Sequence, residues 1–138
     1  MTRKLLVVED NTDDQVLILH VLKGKYEDIE VVGSLSAARE SMSKRQPDAV
    51  ILDINLPDAV GKMDALDTIK KIKSDHAMIL ILTGLMTTEL AEKWISGNAS
   101  GCVSKDRMSN LPHEIEAGIK THRAQVSGEN ARNALTNP

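Results

Sequence analysis

The chain has no phenylalanine, one tryptophan, one tyrosine and one cysteine among its 138 residues. So few rings leave almost no stacking platform for nucleobases, which argues against single-stranded nucleic-acid binding. A lone Cys102 forms no intrachain disulfide, and the four histidines show no metal-ligand spacing. Positive charge is not in excess either: 17 Lys and Arg stand against 20 Asp and Glu, a net charge of -3. A DNA partner, which demands clustered cations for its phosphates, is therefore excluded from the expectation. The short cluster Lys70, Lys71 and Lys73 reads as the solvated face of a helix. No apolar stretch approaches membrane-spanning length. Met1-Thr2-Arg3-Lys4 leads straight into a short strand-like run without the apolar region of a signal peptide. A cytoplasmic location without membrane contact is expected.

What is present is ordinary for a globular protein, with 41% hydrophobic and 27% charged residues. The length suits one domain with one core, built from Leu, Ile, Val, Ala and Met in place of rings. Five short apolar runs alternate with five segments of helical period, the pattern of repeated β-α units around a parallel sheet. The expected fold class is therefore α/β, a doubly wound five-stranded parallel sheet with helices on both faces. The first helix is predicted over about Thr12 to Lys23, with Val16, Leu19 and Leu22 inward and Asp13 and Asp14 in its first turn. A second strand at Glu30 to Val32 precedes a helix with Ala37, Ala38 and Met42, which Gln46-Pro47 ends. The third helix is expected to start near Lys62 and to turn Leu66, Ile69 and Ile72 inward. A fourth, capped by Thr87 or Thr88, carries Leu90, Ala91, Trp94 and Ile95, and Gly97-Asn98 suits its left-handed end. Asn110 is a candidate cap for the fifth, which has Leu111, Ile115 and Ile119 at four-residue spacing and Pro112 in its first turn. Residues 1–122 form the expected domain. From Arg123 the apolar period fades, and residues 123–138 read as a polar tail with no output domain.

The apolar runs share a feature that matters more than their number. Leu5 to Val8 ends at Glu9 and Asp10, Ala49 to Leu52 at Asp53, Ile79 to Leu82 at Thr83, and Cys102 to Ser104 at Lys105. In an open parallel sheet ligands bind outside the carboxyl ends of the strands, so these polar residues converge in one crevice. Repulsion among three carboxylates calls for a cation. Oxygen ligands alone favour a hard ion, and Mg2+ fits because it accepts a few carboxylates, keeps waters and bridges to phosphoryl groups. A carboxylate beside it can attack phosphorus, with catalysis supplied by positioning and charge neutralisation. Lys105 would neutralise the phosphoryl oxygens, Thr83 would donate a hydrogen bond to one, and Gly84 would leave the approach open. Taken singly, an acidic pair after a strand is a capping turn and a terminal lysine is solvated; the combination at successive strand ends is specific.

On these residues the chain resembles the receiver domain of two-component response regulators, over about residues 4 to 122. The resemblance places the acidic pair on Glu9 and Asp10, the phosphoacceptor on Asp53, the switch hydroxyl on Thr83 and the family lysine on Lys105. It implies that the main-chain carbonyl of Asn55 joins Glu9, Asp10 and Asp53 in holding Mg2+, and that Pro57 and Gly61 belong to the loop that follows. It further implies a flavodoxin-like strand order 2-1-3-4-5, a histidine kinase or phosphotransfer protein as phosphoryl donor, and a downstream protein partner.

Two positions depart from that pattern. Asp106 follows Lys105 where many members have a proline after a cis peptide. Cys102 stands where members often carry a Tyr or Phe that turns inward with the switch threonine, and it reads as a small buried strand residue. Trp94 is expected inward, in part of the volume such an aromatic would fill; the competing reading makes it a surface anchor. Other functions fit less well. A phosphorylation-independent interaction module would not need the full acid, Thr and Lys set. An aspartyl phosphatase of the haloacid dehalogenase type needs a second acid where this chain has Asn55. A flavin phosphate would be repelled by Glu9 and Asp10.

Overall fold

The computed structural model describes residues 3–61 and 63–136, with side chains described as far as residue 128. Its elements alternate from end to end: β1 (Lys4–Val8), α1 (Thr12–Leu22), β2 (Asp28–Val32), α2 (Leu35–Lys44), β3 (Ala49–Asp53), α3 (Asp64–Ile72), β4 (Met78–Thr83), α4 (Thr88–Ser96) and β5 (Gly101–Ser104). A 3-10 turn, Lys105–Asn110, then leads directly into α5 (Leu111–Thr136). The strands pair in parallel in the order β2-β1-β3-β4-β5. This is the flavodoxin-like, doubly wound sheet.

Alternation along the strands divides the core into two layers. Leu6, Val8, Val50, Leu52, Ile79 and Ile81 face one side, where Leu35, Ala38 and Met42 of α2, Leu66 and Ile69 of α3, and Trp94 of α4 cover them. Leu5, Val7, Ile51, Met78, Leu80 and Leu82 face the other, against Ile18 and Leu22 of α1 and Leu111, Ile115 and Ile119 of α5. The three central strands are buried along their whole length. Their pairing therefore fixes where they end, and the register sets Val8 beside Leu52 and Asp53 beside Leu82.

Side chains cap α1, α2 and α4, whereas Asn110, the expected cap of α5, lies at the end of the 3-10 turn that runs directly into that helix. Asn11 Oδ1 accepts from Asp14 N, Ser34 Oγ from Ala37 N, and Thr87 Oγ1 from Leu90 N. Asn98 takes the left-handed conformation after α4, with φ of 73°. The helix phases hold two corrections. On α1, Val16 and Leu19 are 61% and 39% exposed; the inward stripe is Ile18 and Leu22. Residues 16–19 are all apolar, so periodicity there could not choose the face. On α4, Trp94 is buried at 1% exposure but Ile95 is 49% exposed, because a nine-residue helix turns a single side chain fully into the core.

Smaller differences complete the comparison. β2 begins two residues earlier than expected, at Asp28. Lys62, the expected start of α3, lies outside the described residues, and the helix is described from Asp64. The segment after His122, read as a tail, is helical to Thr136. Among the described side chains the last buried one on α5 is Ile119. Just beyond Ile119, the residues that precede β3 and β4 take polar contacts: His122 Nε2 lies 2.7 Å from Asp75 O, and Arg123 Nη2 3.6 Å from Asp48 Oδ1.

Candidate functional site

Adjacent parallel strands that end together bring their following residues together, and here these residues are polar. Glu9, Asp10 and Asp53 each place a carboxylate oxygen within 4.8 Å of the other two. Glu9 is 1% and Asp53 4% exposed, whereas Asp10 faces solvent. The backbone pins the two buried acids. Glu9 N donates to Val32 O, Asn11 N donates to Glu9 Oε1 at 3.1 Å, and Asn55 N donates to Asp53 Oδ1 at 3.1 Å. Gln15 Nε2 also donates to Glu9 O at 2.6 Å, tying α1 to the same strand end.

Lys105, arriving from the end of β5, reaches across these acids. Its Nζ lies 2.6 Å from Asp14 Oδ2, 2.9 Å from Glu9 Oε2 and 3.6 Å from Asp53 Oδ2. The hydrogen bond goes to Asp14; at Asp53 the separation exceeds hydrogen-bond range. Burial works against the ammonium, yet its hydrogen bond to Asp14, its close ion pair with Glu9 and the charge of Asp53 hold its pKa well above the ordinary lysine value. A Cβ at Gly84 would meet the Lys105 stem at ordinary van der Waals distance, 3.9 Å. Thr83 is buried, and its hydroxyl is engaged with its own loop: it donates to Leu85 O and accepts from Leu85 N, each at 3.2 Å. Asn55 is exposed beside the acids.

The fit to a hard cation can be judged from Glu9. Burial is the main cause that raises its pKa, and the charge of Asp53 adds to it; Lys105 and the Asn11 amide act the other way without cancelling the shift. Glu9 Oε2 is buried and accepts no hydrogen bond of good geometry, for the Lys105 ammonium contacts it as an ion pair only. A buried carboxylate oxygen without a hydrogen bond, beside two further carboxylates, is a donor set that Mg2+ fits.

The structure thus brings together Glu9, Asp10, Asp53 and Lys105, and sets Thr83 at the end of the neighbouring strand. Asp14 is the site residue that the sequence reading left in the role of a first-turn acid. It shares a face of α1 with Ile18 and Leu22, and that phase is the signal that could have found it. At the two departures, the outcomes are local. Asp106 N donates to Ser104 Oγ at 3.2 Å, a bond that a proline could not make, and among the described residues no peptide bond is cis. Cys102, expected to be buried, is only partly so; it packs against the apolar layer that holds Trp94, and burial pushes its thiol up to about 11, which keeps it in the unreactive form.

A doubly wound α/β domain with carboxylates, a threonine and a lysine at the carboxyl edge of its sheet is the class that fold and site define. The chain belongs to the response regulator receiver domain family, whose sequence pattern matches residues 5–116. It is similar to protein-glutamate methylesterase/protein-glutamine glutaminase of Geobacillus kaustophilus, with 32% identity over 105 residues, 74% of this chain and 29% of that protein. The enzyme of the same description from Rhizobium etli is 30% identical over 132 residues, 87% of this chain and 37% of that protein. The chain spans about a third of the length of these relatives. Among solved structures, a signal receiver domain from Vibrio parahaemolyticus superposes with a TM-score of 0.78 at 25% identity, covering 94% of this chain and 98% of that one. The N-terminal domain of a response regulator/sensory box/GGDEF three-domain protein from Carboxydothermus hydrogenoformans gives 0.75 at 25% identity, covering 90% and 99%.

Proposed function

We propose that this receiver domain is a phosphoacceptor switch. It takes a phosphoryl group from a histidine kinase or phosphotransfer protein onto Asp53, and it signals through a protein partner or passes the group onward. The observation that carries this reading is the buried Asp53 carboxylate, held among two further acids and 3.6 Å from the Lys105 ammonium. The proposed role is that of a signalling domain in the cytoplasm. Among the described residues no helix is long and apolar enough to cross a membrane.

Each residue has a definite task. An Asp53 oxygen attacks phosphorus, the P–N bond of the donor phosphohistidine breaks with its electron pair returning to the imidazole, and an acyl phosphate forms. The hydrogen bond from Asn55 N to Asp53 Oδ1 fixes the carboxylate so that its other oxygen is the nucleophile. Glu9, Asp10, Asp53 and the main-chain carbonyl of Asn55 would hold Mg2+, whose chemistry is to neutralise the phosphoryl oxygens and orient them. Lys105 pairs with a second phosphoryl oxygen. Thr83 donates its hydroxyl to a third, and to do so its single hydroxyl proton leaves Leu85 O. Leu85 belongs to the short connection into α4, so that exchange changes the surface next to α4. Val16 and Leu17, exposed on α1 beside the Asp14 turn, provide the apolar patch that a partner presenting the phosphohistidine would cover.

Intact-mass and peptide mass spectrometry after incubation with acetyl phosphate and Mg2+ tests the reading. One base-labile phosphoryl group per chain is expected on Asp53, absent in Asp53→Asn and absent when a chelator is added. Equal labelling of Asp53→Asn would overturn the assignment.

A further inference from the structure

The shortest contact of the site lysine is to a carboxylate outside the metal-binding set. Asp14 Oδ2 takes the Lys105 hydrogen bond at 2.6 Å, and Asp53 Oδ2, the group that must gain the phosphoryl, waits at 3.6 Å. Asp14 is itself fixed. It sits in the first turn of α1, its amide donates to the Asn11 cap, and that turn is tied to the end of β1 by Gln15 and Asn11. We propose that Asp14 is a positioning residue that holds Lys105 in the resting site and competes with the phosphoryl oxygens for its ammonium.

This rests on the phosphoacceptor reading and deepens it. Of the three carboxylates around the ammonium, Glu9 and Asp53 are candidates to hold a cation, and any charge they give to that cation is withdrawn from Lys105. Asp14 is the one left. An incoming phosphoryl oxygen therefore recruits Lys105 against a short hydrogen bond from a fixed helix turn. Asp14 thereby sets how readily the domain takes its phosphorylated form, raising the threshold for a weak donor. At rest the ammonium is surrounded by the carboxylates of Asp14, Glu9 and Asp53, so turning an N–H toward the phosphoryl group draws it from Asp14 by a shift along the flexible lysine stem, without rearranging the fold.

Beryllofluoride, which mimics the phosphoryl group on the aspartate, provides the test, titrated into the full chain at saturating Mg2+ and followed by fluorine NMR. Asp14→Asn keeps the size and the helix turn but weakens the hold, and should tighten beryllofluoride binding about fivefold, the scale of a partly exposed ion pair. Asp14→Glu should restore the hold and bring affinity back toward wild type. Asp13→Asn removes an equal charge from the same exposed turn without touching Lys105, and should leave affinity unchanged. Unchanged or weaker binding in Asp14→Asn overturns the proposal, as does an equal gain in Asp13→Asn, which would mark a general charge effect. In either case wild-type binding, and with it the phosphoacceptor reading, stands. If the wild type itself binds no beryllofluoride, the phosphoacceptor reading fails and the role of Asp14 falls with it.

Discussion

Asp53→Asn should make the metal-free protein more stable while abolishing its proposed chemistry. Asp53 is nearly fully buried within 4.8 Å of Glu9 and Asp10. At an effective dielectric constant near 20, the repulsion from Glu9 is about 3.5 kcal/mol at that distance. Solvent at the exposed Asp10 cuts its share to about 1 kcal/mol. Lys105 at 3.6 Å supplies an opposing attraction of about 4.5 kcal/mol on the same scale. The Coulomb terms nearly cancel. What remains is the desolvation of a buried carboxylate, which an amide largely escapes. Asparagine still accepts the Asn55 amide, and Lys105 keeps Asp14 and Glu9.

The net gain should be about 1–2 kcal/mol, which for a domain of this size raises the melting temperature by about 4–8 °C. Thermal unfolding by circular dichroism in a chelator at low ionic strength measures it, where surface screening is least. Adding Mg2+ should reverse the order. A ligand at a hundred times its dissociation constant stabilises the folded state by about 2.7 kcal/mol, a gain open to the wild type but reduced in a variant that has lost a ligand. A variant less stable than the wild type in chelator would refute the picture of a site held under electrostatic tension.

Two further outcomes follow from individual side chains. Glu9→Gln should stabilise the metal-free protein at pH 7.5 but not at pH 4.5, because burial raises the folded-state pKa of Glu9 above its ordinary, unfolded value. The wild type then keeps its full stability below the unfolded value and loses it as pH rises through the folded one, so urea titrations at about pH 4.5 and about 7.5 should show a gap only at the higher pH. Trp94→Ala removes a side chain buried at 1% exposure and should cost about 3–5 kcal/mol by urea denaturation. Ile95→Ala, on the exposed side of the same helix, should stay within about 0.5 kcal/mol; a loss in Trp94→Ala no larger than that would place the indole on the surface.

Strand ends were legible in the sequence because a fully buried parallel strand is an unbroken apolar run, and the first polar residue after it marks the sheet edge. Four such edges single out Glu9, Asp10, Asp53, Thr83 and Lys105 from the sequence alone. Helix phase was legible only where polar residues interrupt the apolar ones. Leu111, Ile115 and Ile119 stand among charged neighbours and fell where expected, whereas the run Val16 to Leu19 offered four equivalent faces and the wrong two were chosen. The same ambiguity hid Asp14. Its acid could be read as dipole compensation in a first turn, and only the phase of α1, set by Ile18 and Leu22 entering the core, turns it toward Lys105. Trp94 shows the converse: its burial follows from the stripe of α4, and burial itself excludes the surface reading.

The site and the core answer to opposite demands, and the fold keeps them apart by one residue. Up to Leu52 and Leu82, every side chain of β3 and β4 is apolar and buried, so the sheet is stabilised without help from its edge. At the next position the chain buries a carboxylate, and at Glu9 it buries another whose outer oxygen has an ion pair but no hydrogen bond. Local stability alone would favour neutral residues there. A sheet this apolar can carry the cost, and residues that break a local rule beside a well-made core are where function is expected. The tension has a chemical use: each charge that Mg2+ or a phosphoryl group would satisfy is already in place, so binding relieves repulsion without having to assemble the site. Lys105 is the exception. Asp14 already holds its ammonium at 2.6 Å, so in the proposed phosphorylation Lys105, like Thr83 with Leu85, must change a resting partner, and that partner lies outside the acid cluster.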